Sequence, residues 1–332
     1  MYFLVGISLL FATLYAVNLA ASLITTLTWR SLAGSATGWN ASTRSNLLFL
    51  FRVLPLSFAI VVTFGIILPA FLLFEPETPA ETIGLKMAVI VCVAAFGLAA
   101  AIYRIIASLW RTRQLVGDWM ITSVPVEIEG VSMPAYQLRH PFPVIAVVGI
   151  FKPRIFVAEQ VFSELDKPEL VAALSHEAGH ISSFDNLKRV IMRVCRDLLV
   201  FPLGKSLDNG WLLAAESAAD EYAAIRGGSG YALNLASALV KIGRITPHEQ
   251  TQRLPIAAYL IEPDDTSLAQ RVEGLLSFAD KPFGVSDRSP YLTTVFGVFA
   301  ATTVATAIFV LTSTPFLEVV HDITEGVLHR LQ

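Results

Sequence analysis

The sequence predicts an α-helical multi-pass membrane protein with an α+β domain inserted before its last membrane segment. Mean hydropathy is +0.61, and only 15% of the 332 residues are charged, against roughly a quarter in a typical soluble domain. The polar stretch 111–290 is long enough to build a core of its own, which predicts the insertion. A formal net charge of -3 leaves no global basic field, so nucleic acid is excluded as a partner. The two cysteines, Cys92 and Cys195, have no Cys or His neighbour at ligand spacing, which excludes a disulfide framework and a zinc ribbon.

Four apolar runs are expected to cross a bilayer. Residues 2–27 are nearly uncharged, too long for a signal-peptide core, and end at Trp29-Arg30 where a span meets the interface. Leu47 to Phe74 carries Pro55 and Pro69 yet exceeds the roughly 20 residues a span requires. Ile83 to Trp110 holds Lys86 and Arg104 near its ends, where long basic side chains snorkel. Tyr291 to about Leu311 is charge-free. The expected division is three membrane helices in 1–110, an inserted domain in 111–290, a fourth span in 291–312 and a short tail in 313–332. Arg30, Arg44 and Arg52, with Arg104, Arg111 and Arg113, flank one side, while Glu75, Glu77 and Glu81 occupy the other. The positive-inside rule then places the inserted domain in the cytoplasm and both termini outside the cell membrane.

Within the insertion, Ile121 to Ile128, Tyr136 to Leu138, Val144 to Val148 and Arg154 to Ala158 read as strands. Asp166 and Glu169 form a capping-box pattern that opens a helix through residue 181. Leu187 to Phe201 reads as a basic amphipathic helix, either packed or lying on an anionic leaflet. Trp211 to Arg226 reads as another helix, ended by Gly227-Gly228.

His176-Glu177-Ala178-Gly179-His180 matches H-E-x-x-H on the predicted helix. Residues four apart share a helix face, so both imidazoles can point at one ion, and Glu177 can reach a water beside it as general base. Glu216 and Asp220 share a face of a second helix. Glu216 then completes a His2Glu site for zinc, and Asp220 accepts the other ring N–H of a ligand histidine. Glu221 competes for the ligand role but points about 100° away. The inserted domain is thereby expected to be zincin-like (gluzincin), with zinc lowering the pKa of a bound water and a peptide bond as target. Arg271, His248 and Tyr222 are candidates for a second oxyanion donor, and His140, His321 and His329 stand apart from the motif.

These residues resemble the integral-membrane metallopeptidases of the beta-lactam-sensor (BlaR/MecR-like) type and, more distantly, the HtpX and CAAX-prenyl endopeptidase type. The resemblance rests on G-x-x-K-P-R-I-F-V over Gly149 to Val157, on His176 to Leu187 matching H-E-x-x-H-I-x-x-x-D-N-L, and on Glu216 to Asp220 matching E-x-x-x-D. It implies that Asp185 is a structural acid beside the site and that Arg271 matches a late family arginine. Ala178 stands where relatives carry Leu. About twenty residues follow the fourth span, so the extracellular sensor domain of antibiotic-sensing members is not expected.

The expected partners are a protein or peptide substrate, the lipid bilayer and a regulatory membrane protein. A peptide could add to the edge of the 144–158 hairpin, or Lys152 and Arg154 could instead guard that edge. Two other classes compete: a catalytically silent zinc-binding signalling protein, and a transporter, for which paired intramembrane acids are missing.

Overall fold

The computed structural model describes residues 2–74, 84–128, 134–150, 152–199, 203–245, 257–259, 265–280, 306 and 313–331. Among the described residues, three helices are long and apolar enough to cross a membrane: Val5–Leu32, Ala41–Phe74 and Ala88–Thr122. The first lies within α1 (Tyr2–Leu32) and the third within α4 (Leu85–Thr122). The second is a continuous rod of α2 (Ala41–Val62), a π-turn at Thr63–Ile67 and α3 (Leu68–Phe74). Pro55 sits inside α2 without breaking it. The fourth expected span falls outside the described residues, apart from Thr306.

The rod of 34 residues is about 51 Å long, well beyond the ~30 Å hydrocarbon core. Its first three turns are accounted for by protein rather than lipid. Leu48 is fully buried among Trp29 of α1, Met192, Leu207, Trp211, Ala214 and Ala215. Arg52 marks the change of environment: Nε lies 3.1 Å from Asp208 Oδ1, and Nη1 donates to Leu203 O at 2.9 Å. The apolar run follows directly after it.

The other end of the rod receives α10 (Thr314–Leu331), a helix where the sequence suggested only a short tail. Leu317 packs on Ala70, and the ring of His321 lies 6.0 Å from that of Phe74. Leu317 and Val320, three residues apart, form the apolar stripe that docks it.

The inserted region holds a five-stranded sheet of order β1-β2-β4-β3-β5: Val124–Val126, Ala135–Leu138, Arg154–Ala158, Ile145–Val148 and Ala257–Tyr259. β2 and β4 are parallel, and the remaining pairs are antiparallel. Both edges of the β3–β4 hairpin are therefore covered, by β2 and by β5, which corrects the expectation of a free edge. The first strand is also shorter than its alternating pattern suggests. α4 runs on to Thr122 because Trp119 docks edge-on against Phe156, 5.2 Å between ring centroids, and extends the helix beneath the sheet.

Against the sheet pack α5 (Glu159–Glu164), α6 (Lys167–Ser182), α8 (Lys205–Ile245) and α9 (Asp265–Asp280), around Phe156, Leu174, Leu235 and Leu239. α6 starts at the expected capping box: Glu169 N donates to Asp166 Oδ1 and Asp166 N to Glu169 Oε2, both at 2.9 Å. Such a cap stabilises a helix by about 1 kcal/mol. Ser237 and Lys241 also bond Glu169, at 2.6 and 2.7 Å, pinning the start of α6 to the end of α8. α7 spans Asp185–Asp197, ending four residues before the expected Phe201. Within Lys205–Ile245 Gly228 takes the non-helical φ 72°, ψ -164°, open to a residue without Cβ, so Gly227-Gly228 ends the first helical stretch of α8 as expected and a second stretch follows the kink.

Candidate metal centre

The site is built where α6 crosses α8. Close approach is needed there, and Gly179 supplies it: a Cβ at 179 would lie 3.0 Å from Ala219 Cα. His176 and His180 project from α6 on one side, with their Nε2 atoms 3.2 Å apart and their rings at 87°. Glu216 of α8 faces both, Oε2 to His176 Nε2 and Oε1 to His180 Nε2, each at 3.5 Å. One ligand atom from each of the three residues lies within 4.8 Å of the others, and all three side chains are buried.

Carboxylates hold the outer nitrogens. Asp220 Oδ1 is 2.8 Å from His176 Nδ1, and Asp185 Oδ2 is 2.7 Å from His180 Nδ1. Each contact favours the tautomer whose proton sits on Nδ1, leaving Nε2 as a lone-pair donor toward the centre. Asp185 is itself anchored through its neighbour, since Asn186 Nδ2 donates to Val147 O and Gly149 O at 3.1 and 3.0 Å.

Arg271 reaches the same cluster from α9. Nε and Nη2 bond the two Asp220 oxygens at 2.8 and 2.7 Å, and Nη1 lies 3.2 Å from Glu216 Oε2. Of the other oxyanion candidates, Tyr222 accepts a hydrogen bond from Arg226 at 2.9 Å and His248 lies outside the described residues. Arg189 of α7 was not singled out by sequence reasoning. Its Nη2 lies 3.5 Å from Glu216 Oε1. Its only sequence signal was its place one turn after Asp185.

Electrostatics follow from burial and the local charges. Burial alone would raise Glu216, but His180, His176 and Arg271 hold its carboxyl well below the usual range. Burial would lower His180, yet Glu216 and Asp185 push it up to about 10. Glu177 differs from these. It is fully buried, burial raises it to about 7, and neither carboxylate oxygen has a hydrogen-bond partner among the described residues.

Two imidazole nitrogens and a carboxylate converging on one point form a donor set suited to zinc. The orphaned Glu177 oxygens beside it need a donor that the described protein groups do not supply, and a water at an open metal position meets that need. The residues therefore fit a catalytic Zn2+ site rather than a closed structural one.

Residues 144–244 match peptidase family M48. The matched stretch runs from the start of β3 to the end of α8 and contains His176, Glu177, His180 and Glu216. No curated protein matches the chain. The chain is accordingly a multi-pass helical membrane protein whose α+β domain is similar to peptidase family M48 and carries the site of a zinc-dependent metalloendopeptidase.

Proposed function

We propose that this protein cleaves membrane-proximal protein segments on the cytoplasmic side, with His176, His180 and Glu216 as zinc ligands and Glu177 as general base. The observation that carries the assignment of roles is the buried, unpartnered Glu177 carboxylate beside the ligand cluster. When bound, zinc supplies a Lewis acid and lowers the pKa of a water toward roughly 7. Glu177 takes the proton of the attacking water and returns it to the departing amine nitrogen. A carboxyl tuned by burial toward neutrality is suited to both transfers. Asp220 and Asp185 orient the ligand imidazoles, and Arg271 positions Asp220 and Glu216 by its fork of donors.

The choice of membrane-proximal targets rests on helix geometry. Asp208 pairs with Arg52 where the apolar run begins, and Glu216 lies eight residues further along α8. That separation is about 12 Å of helix. The working domain boundaries are 1–110, 111–290, 291–312 and 313–332, with the first reaching its domain through the unbroken α4. Docking of α10 at the Phe74 end of the rod, opposite the Ala41 end that meets the domain, supports a crossing between 280 and 314. The arginines at 30, 44, 52, 104, 111 and 113 support a cytoplasmic domain. Within the family, the sequence motifs favour the BlaR/MecR-like branch.

Sealed vesicles test this reading. Inside-out vesicles should cleave an added unfolded polypeptide, and right-side-out vesicles should do so only after permeabilisation. Cleavage by intact right-side-out vesicles alone would reverse the orientation and with it the cytoplasmic substrate class.

A further inference from the structure

α7 lies between the membrane-entry turns of α2 and the metal centre; of two adjacent side chains on it, Lys188 touches both sides, and Arg189 joins the centre to Trp211 of α8, which packs on the membrane helices. Arg189 stacks over Trp211, 5.8 Å from guanidinium carbon to ring centroid, and its Nη2 faces Glu216 Oε1 at 3.5 Å. Trp211 is buried in the cluster that holds Trp29 of α1 and Leu48 of α2. Lys188 donates to Asn46 Oδ1 of α2 at 2.8 Å and lies over the ring of Phe49. The same ammonium is 3.9 Å from Asp185 Oδ1, and Asp185 Oδ2 holds His180.

We infer that Lys188 and Arg189 are positioning residues through which the packing of the membrane helices sets the geometry of two metal ligands, His180 and Glu216. The inference rests on the zinc reading above. Glu216 turns both oxygens toward the ligand histidines, and a carboxylate in that pose is held from two sides: Arg271 at Oε2 and Arg189 at Oε1. Arg271 is fixed by its own bidentate partner, Asp220. Arg189 is held instead by an aromatic face that belongs to the membrane-helix contact. A planar guanidinium suits that task, because it can stack flat and still present an edge N–H to the carboxylate. Lys188 acts in parallel on Asp185, whose contact with His180 orients the imidazole.

A positioning role and a purely electrostatic one predict opposite signs. Removing a cation beside a metal-binding carboxylate strengthens metal binding if charge alone matters. It weakens binding if the cation holds the ligand in place, by roughly 10–100-fold for groups that orient ligands. The test is zinc affinity of the metal-stripped full chain in detergent, by competition with a chromogenic chelator, for wild type, Arg189→Met, Arg189→Lys and Asn46→Leu. Wild type failing to bind zinc would sink the metal reading itself. With wild type binding, weaker affinity is expected in Arg189→Met, no full recovery in Arg189→Lys, and a smaller loss in Asn46→Leu. Asn46 is half-buried and outside the site, so its variant tests the link without threatening the fold. Unchanged or tighter binding by Arg189→Met, wild-type affinity in Arg189→Lys, or no change in Asn46→Leu would overturn the inference.

Discussion

Glu177→Gln protein should retain zinc and lose turnover, with kcat reduced by about 100- to 10,000-fold and KM little changed. Gln matches Glu in shape but cannot accept and return a proton at neutral pH. The substitution removes chemistry without removing a structural contact, because both Glu177 oxygens lack hydrogen-bond partners among the described residues. It also removes a carboxyl that burial has already pushed up to about 7. The folded protein should therefore be as stable as wild type or more so, since a buried ionisable group without a partner opposes folding. An equal fall in kcat and zinc content would instead mean that Glu177 supports the metal rather than the proton transfers.

Arg271→Met should be the most destructive single change in the cluster for stability and metal together. Arg271 is 8% exposed and supplies two donors to Asp220 and a third contact to Glu216. Breaking a buried pair by removing one partner costs about 3–5 kcal/mol, because the other charge stays buried and uncompensated. Burial opposes the charged form of Asp220, and Arg271 is the main group that holds its carboxyl low. Loss of that partner loosens the Asp220 contact with His176, so zinc affinity should fall with thermal stability in detergent. The double variant Arg271→Met, Asp220→Asn should recover part of the stability, since it removes both charges. A double variant as damaged as the sum of the singles would show that the two residues act separately.

Local features of the fold were legible because local physics decides them. The Asp166–Glu169 cap needs only residues three apart, and the sharing of a face by His176 and His180, or by Glu216 and Asp220, follows from helix periodicity. What escaped depended on distant docking. Arg271 was legible as a candidate, but its fork to Asp220, 51 positions away, was not. Arg189 read as one more charge on a basic face, because its role depends on Trp211 of another helix. The cover on β3 comes from residues 257–259, beyond any short-range pattern. Ile121 to Ile128 alternates like a strand, yet Trp119 docking carries the helix through Thr122. Tertiary contact decided each of these against an ambiguous local preference.

Zinc held by His176, His180 and Glu216 should be required for peptide-bond cleavage. The direct measurement follows hydrolysis of an internally quenched unfolded peptide by detergent-purified protein, stripped with chelator and then titrated with zinc. Activity should vanish on stripping and return at one zinc per chain, and Glu216→Gln protein should fail to recover it over the same range. Cleavage at the wild-type rate by metal-free protein, or full recovery in Glu216→Gln, would show that this zinc is not required.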